Sequence, residues 1–188
     1  MKAILLTAIL LAAVPAMAAA APAPAWAVDK ASSRLDFTSS FSGEAFSGGF
    51  RRWDADIRFD PKNLAGSSVT ATIDTASAAT GDADRDKSLP GDPFFAAARF
   101  PKATFAARSF QDLGGGRYQA VGVLTIRGVS KPLTLPFTLA ITGAAAKMNA
   151  SIAINRLAFG VGQGEWKAVE AIPAAVTVTI AINARRTP

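Results

Sequence analysis

From Arg34 onward the apolar residues of this chain recur with a period of two, and no other feature constrains the fold as much. The clearest stretch is Trp53-Asp54-Ala55-Asp56-Ile57-Arg58-Phe59-Asp60. Successive side chains of a strand point to opposite faces. Trp53, Ala55, Ile57 and Phe59 therefore share a dry face, and the four charged residues share a wet one. The same rule groups Leu35, Phe37 and Phe41, then Val69, Ala71 and Ile73, then Leu133, Leu135, Phe137, Leu139 and Ile141. It also groups Met148, Ala150, Ile152 and Ile154, and finally Val176, Val178, Ile180 and Ile182. Two further stretches, 103–109 and 118–127, alternate less cleanly, which brings the predicted strands to eight.

Most connectors are short and rich in turn residues: Asp60-Pro61-Lys62-Asn63, Gly114-Gly115-Gly116, Arg127-Gly128-Val129-Ser130 and Gly143-Ala144. Short links between alternating strands make neighbours antiparallel, because a parallel crossover needs a dozen or more residues. Only Thr75–Arg99 and Arg156–Ala174 are long, and the first holds Ala83–Leu89, predicted as one or two helical turns stopped by Pro90-Gly91. One-sided strands must bury the dry face, by closing into a barrel or by stacking. The fold predicted is all-β: an extended antiparallel eight-stranded lipocalin-like barrel with one short helical connector, a sandwich being the alternative. Eight strands enclose an interior that side chains can fill or that can hold one small ligand. An outer-membrane barrel would turn its apolar face outward, but the aromatic girdles expected of one are missing.

Composition then narrows the chemistry. The 188 residues include no cysteine and no histidine. That excludes disulfides, thiolate nucleophiles, imidazole bases, Ser-His-Asp triads and Cys- or His-ligated metals. No metal site and no cofactor are predicted. Met1-Lys2, the apolar run Ala3–Val14 and Ala16-Met17-Ala18 have the layout of a Sec signal peptide over residues 1–18, with cleavage as late as Ala21 the alternative. The run is too short to span a bilayer, and Pro15 follows it. Export to the periplasm is expected, followed by a flexible Ala/Pro leader over 19–25 and one domain over 26–188. The formal charge of +6 falls to +5 without Lys2. It serves solubility, or a transient contact with an anionic membrane surface. No basic run exceeds two residues, so nucleic acid is not expected as a partner.

Few polar motifs carry weight. Asp82-Ala83-Asp84-Arg85-Asp86 lacks the glycine and the final acid of a calcium loop, with Lys87 and Pro93 in their places, and reads as a loop entering a helix. Gly160-Val161-Gly162-Gln163-Gly164 lacks nucleotide-loop spacing. Arg85, Arg127 and Arg156 each lie at the end of an element, where a headgroup or an acidic partner could be met. The apolar set is more telling. Leu89, Phe94, Phe95 and Phe100 sit in a long connector that needs something apolar to cover, such as a barrel mouth. With Phe37, Trp53, Ile57, Phe105, Leu135, Phe137 and Phe159 they form the predicted lining of a tunnel.

Read in order, these residues resemble the YceI-like family of periplasmic polyisoprenoid-binding proteins. The resemblance runs from Trp26-Ala27-Val28-Asp29 through Gly49-Phe50, Phe59-Asp60-Pro61, Ile73-Asp74, Ser77 and Thr80. It continues through Arg85-Asp86, Leu89, Phe94-Phe95, Phe100-Pro101, Ala103-Thr104-Phe105, Gly122, Leu124–Val129, Asn155-Arg156 and Phe159-Gly160. It implies a barrel whose tunnel takes a long isoprenoid, quinone-like or related lipid as ligand, in a carrier and not an enzyme. Arg85, Asp86 and Arg156 then look like polar framework residues, with Arg127 a further framework or headgroup residue. The chain departs from the family in lacking histidine and in having Ala96 where an acid commonly follows the paired phenylalanines. Two other readings stay open: an enzyme acting on an isoprenoid in the same cavity, which needs Arg85, Asp86 and Arg156 pointing inward, and a ligand-free interaction barrel with a filled core. A homodimer is left open as well.

Overall fold

The computed structural model describes residues 21–187. The signal peptide expected over 1–18 lies outside the described residues. The described residues form eleven strand segments: β1 (Ala25–Val28), β2 (Arg34–Phe41), β3 (Glu44–Phe50), β4 (Trp53–Arg58), β5 (Ser68–Asp74), β6 (Ala78–Ala79), β7 (Lys102–Gly114), β8 (Arg117–Ile126), β9 (Val129–Thr142), β10 (Ala145–Asn155) and β11 (Ala175–Arg186). Among the described residues a single α-helix, α1 (Ala83–Ser88), lies in the first long connector.

Register reduces the eleven to eight. On its β11 edge, Trp26 faces Arg186 and Phe37 faces Val178, so β1 and β2 are successive parts of one strand. Trp26 faces Ile57 while Phe37 faces Gly48, so β3 and β4 continue each other in the same way. Trp53 faces Ile73 and Gly49 faces Ala79, which joins β5 to β6. Each pair is interrupted by a short irregular stretch. The result is an up-and-down meander of eight antiparallel strands, closed where β1 pairs with β11. Closure removes the unpaired edges that an open sheet would expose, save on β6, which pairs with β3 alone.

The eight predicted strands correspond to β2, β4, β5 and β7 to β11. β1, β3 and β6 are not among the predicted strands; on β3, Ser47-Gly48-Gly49 breaks any apolar alternation. Its glycines instead permit close packing. A Cβ on Gly48 would sit 2.5 Å from Phe37 Cζ, so the ring of Phe37 occupies the space a side chain would take. The expected Ala/Pro leader is, from Ala21 on, docked. Ala23 is 1% exposed and its amide donates to Gly66 O at 2.9 Å; Asn63 Nδ2 donates to Ala21 O at 2.8 Å. Proline removes two donors from this segment, yet Pro24 O still accepts from the Phe59 amide.

The two strands with blurred alternation owe it to identifiable causes. β7 carries a register shift between Ala107 and Ser109, which changes parity so that Phe105 and Phe110 both face inward. Gly122 stands opposite Ala107 at that irregularity, where a Cβ would collide with Ala106 O. On β8 the inward residues include the small Ala120 and Gly122, while Val121 and Val123 are exposed.

A cavity with one polar end

A meander alternates its connectors between the two ends of the barrel. Both long connectors, 80–101 and 156–174, therefore fall at the same end, together with the β2–β3 turn Ser42-Gly43 and the β8–β9 turn Arg127-Gly128. This end is the mouth. At the other end, Phe59 packs edge-on against Phe110 and Tyr118 at 5.4 Å and against Phe137 at 6.0 Å, and Trp26 Nε1 donates to Phe59 O. Edge-to-face packing of this kind covers the lower end with aromatic rings.

Between the two ends lies a cavity of about 590 Å³. The barrel is hollow: Trp53, Phe105 and Phe137 line the interior and do not close it. Its wall is made by the inward residues that alternation marks out, among them Leu35, Phe37, Trp53, Ile57, Val69, Ala71, Leu135, Ile152 and Val176 to Ile182 in steps of two. Ser68, low on β5, is the one polar side chain away from the mouth. The remaining polar residues of the wall, Ser39, Asp82, Asp84, Arg85, Ser88 and Arg156, all belong to the mouth end.

The predicted lining residues Phe37, Trp53, Ile57, Leu89, Phe94, Phe95, Phe105, Leu135 and Phe137 are on this wall. Phe100 and Phe159 are not, which corrects their placement. Phe100 lies over the β8–β9 turn, where a Cβ on Gly128 would come within 2.9 Å of its ring. Phe159 is buried at the end of the 3-10 turn Arg156–Phe159, outside the cavity. Among the wall residues at the mouth outside the predicted lining are Phe46 and Phe50 of β3 and Trp166, whose ring centre lies 5.4 Å from that of Phe94 with the planes tilted by 44°. Phe50 follows from the glycine motif beside it; nothing in the spacing around Trp166 marks it.

The four predicted polar residues hold the mouth together in different ways. Arg156 is 5% exposed and donates to three main-chain carbonyls: Nε to Pro173 at 3.0 Å, Nη1 to Val161 at 3.0 Å and Nη2 to Ile172 at 2.7 Å. Burial pushes its pKa down from the usual arginine value, and no carboxylate among the described residues lies within ion-pair distance of it. The glycine run makes room for it. Gly162, at φ +82, passes so close that a Cβ there would fall on Nη1, and Gly160 ends the 3-10 turn in the left-handed region.

Arg127 Nη1 donates to Asp92 O at 2.7 Å and also to Phe94 O, so it fastens the phenylalanine loop to the β8–β9 turn without reaching the wall. It adopts φ +51 followed by Gly128 at φ +73, as a two-residue hairpin turn requires. Arg85 lies on the wall, with its guanidinium 4.4 Å from the Phe46 ring centre, an Nη2–Asp82 contact of 3.4 Å and an Nε donation to Thr80 Oγ1.

Asp86 is off the wall. Its carboxylate accepts from Thr80 N at 2.5 Å, Thr80 Oγ1 at 2.7 Å and Gly81 N at 3.3 Å, pinning α1 to the Thr80-Gly81 link that follows β6. The Thr80 hydroxyl and amide hold its pKa below the ordinary aspartate value. A depressed folded-state pKa contributes stability that is present above the unfolded value of about 3.9 and is lost as pH falls through the folded one. The Thr80 and Gly81 amides should therefore lose protection from hydrogen exchange in acid, below the ordinary aspartate range. Asp86→Asn should show the loss already at neutral pH; equal protection in both proteins would remove Asp86 from this role.

Comparison with known proteins accords with this architecture. A family model described as YceI-like domain matches residues 26–184. A UPF0312 protein of Vibrio parahaemolyticus is 36% identical over 102 residues, and one of Yersinia pestis 43% over 88. These matches span about half of this chain and about half the length of each relative. Among solved structures, Burkholderia cenocepacia BcnA is 33% identical, with a TM-score of 0.80 over 83% of this chain and 98% of that one. A polyisoprenoid binding domain from Saccharophagus degradans shares the fold at 18% identity, with a TM-score of 0.70 over 87% of this chain and 99% of its own.

Proposed function

This chain belongs to the YceI-like domain family, and on that footing we propose that it binds one long, slender lipid in the barrel, tail inward and polar head at the mouth. A polyisoprenoid, a quinone or its precursor, or a fatty acid derivative has the required shape. The observation that carries the reading is the distribution of polarity: a hollow, apolar interior sealed at one end and polar almost only at the other. A volume of about 590 Å³ lies within the range of small-molecule sites. Burial of apolar surface at about 25 cal/mol per Å² supplies the affinity, less the cost of association and of ordering the tail. The polyisoprenoid binding named for the Saccharophagus degradans domain agrees with this choice of ligand.

The protein acts as a carrier or store and not as an enzyme. The enzyme alternative needed Arg85, Asp86 and Arg156 to converge on the cavity. Asp86 is spent on Thr80 and Gly81, and Arg156 on three carbonyls. The leader-like sequence of residues 1–18 supports export to the periplasm as the place of action. Exchange of cargo takes place at the mouth, where the exposed Phe41 would meet a membrane surface or a partner.

Native mass spectrometry of the protein purified from its own host, with solvent extraction of what it carries, tests the reading. One lipid per chain is expected; empty protein that also fails to take up an offered polyprenol would overturn it. Phe95→Asp should lower lipid retention at least tenfold and cost stability much less, because Phe95 contacts Phe50 and the cavity at the mouth. A parallel loss of both would place Phe95 in the core instead.

A further inference from the structure

One buried hydroxyl at the mouth end of the cavity wall has no role in the framework of the mouth. β2 turns Leu35, Phe37, Ser39 and Phe41 to the cavity, and Ser39 is the single polar member of that row. Its Oγ is buried and has no hydrogen-bond partner among the described residues. An unpaired buried hydroxyl is destabilising, and alanine at this position would avoid the penalty. The hydroxyls of the nearby connector behave differently: those of Thr75, Ser77, Thr80 and Ser88 each have a partner.

Position gives the orphan hydroxyl a meaning. Ser39 pairs with Phe46 across the β2–β3 ladder, and only Phe41 lies above it on the inner face of β2. It thus marks the neck, just inside the mouth. The Phe46 ring opposite carries the guanidinium of Arg85 on its face. A serine hydroxyl moves between staggered positions at little cost, so it can follow a polar atom that enters the neck.

We propose that Ser39 is a specificity-determining residue: its hydroxyl hydrogen-bonds an oxygen on the head of the bound lipid. The neck thereby selects a long chain ending in a hydroxyl or carbonyl over a pure hydrocarbon of equal length. The inference rests on the lipid-binding reading above and goes beyond it by naming what the head must carry and which residue reads it. It also holds the head inside the barrel, beneath Phe41, and not free in solvent.

The test compares a polyprenol with the hydrocarbon of the same chain length, each titrated into delipidated full-length mature protein. Wild type should prefer the polyprenol. Ser39→Ala should reduce that preference about fivefold, the worth of one hydrogen bond. Its affinity for the hydrocarbon should be unchanged or higher, and its ligand-free form should be at least as stable as wild type. Ser39→Thr keeps the hydroxyl and should keep the preference. An unchanged preference in Ser39→Ala, with or without a loss of stability, would show that the hydroxyl serves packing or a water and would overturn the proposal. If neither probe binds wild type, the lipid-binding reading itself fails, and this inference with it.

Discussion

Ala71→Trp should abolish lipid binding and leave the barrel folded. Ala71 lies on β5 between Ala55 of β4 and Phe105 of β7, midway along the barrel, and its side chain is on the cavity wall. An indole placed there grows into empty space, so the usual overpacking cost of about 1–3 kcal/mol is largely avoided. The unfolding midpoint in urea should shift by about 1 kcal/mol or less. The tail of a bound lipid would have to occupy the same space, so binding should fall at least a hundredfold. The readouts are lipid recovered by extraction and uptake of an offered polyprenol. Undiminished binding with intact folding would mean that the ligand does not use this cavity, and the proposed function would lose its main support.

Arg156→Met should cost about 3–5 kcal/mol, the largest loss of stability expected from any single side chain described above. Methionine replaces the bulk of the arginine stem and none of its donors. The carbonyls of Val161, Ile172 and Pro173 would then be left facing one another without a partner. Arg156→Lys should recover only part of the loss, because an ammonium on a flexible stem cannot reproduce a planar fork aimed at three oxygens. Gly162→Ala attacks the same arrangement from the other side, with a methyl group where Nη1 lies and a left-handed φ that alanine tolerates poorly. Urea unfolding followed by intrinsic fluorescence measures all three. A loss below about 1 kcal/mol for Arg156→Met would mean that the connector is held by its apolar contacts, with the guanidinium incidental.

Much of this architecture is legible in the sequence, and for a reason. Inside a closed barrel every strand faces the same interior, so alternation alone separated wall from surface along β4, β5, β9 and β11. It failed where local geometry changes parity, at the irregularity that lets Phe105 and Phe110 share a side. It failed again on β3, where glycine supplies room and not hydrophobicity. At the mouth periodicity has no hold, since the long connectors are neither strand nor helix for most of their length. The family resemblance supplied Arg85, Asp86 and Arg156 as framework residues there. Periodicity could not have told that Arg156 works through carbonyls alone. The misplaced Phe100 and Phe159 lie in the same connectors, where an aromatic residue can cover a turn as readily as a cavity.

The interrupted strands have a mechanical consequence. β5 stays zipped to β7 up to the Asp74–Lys102 pair, but β6, its continuation toward the mouth, pairs only with β3. Above that level the wall between β6 and β7 is connector and not sheet. A shear or bulge of the rim at this place disturbs side-chain packing and loop contacts while every rung of the closed ring stays intact. The rim there is held by side-chain packing and loop contacts and not by a ladder, so local opening at this place costs less free energy than unfolding of the barrel.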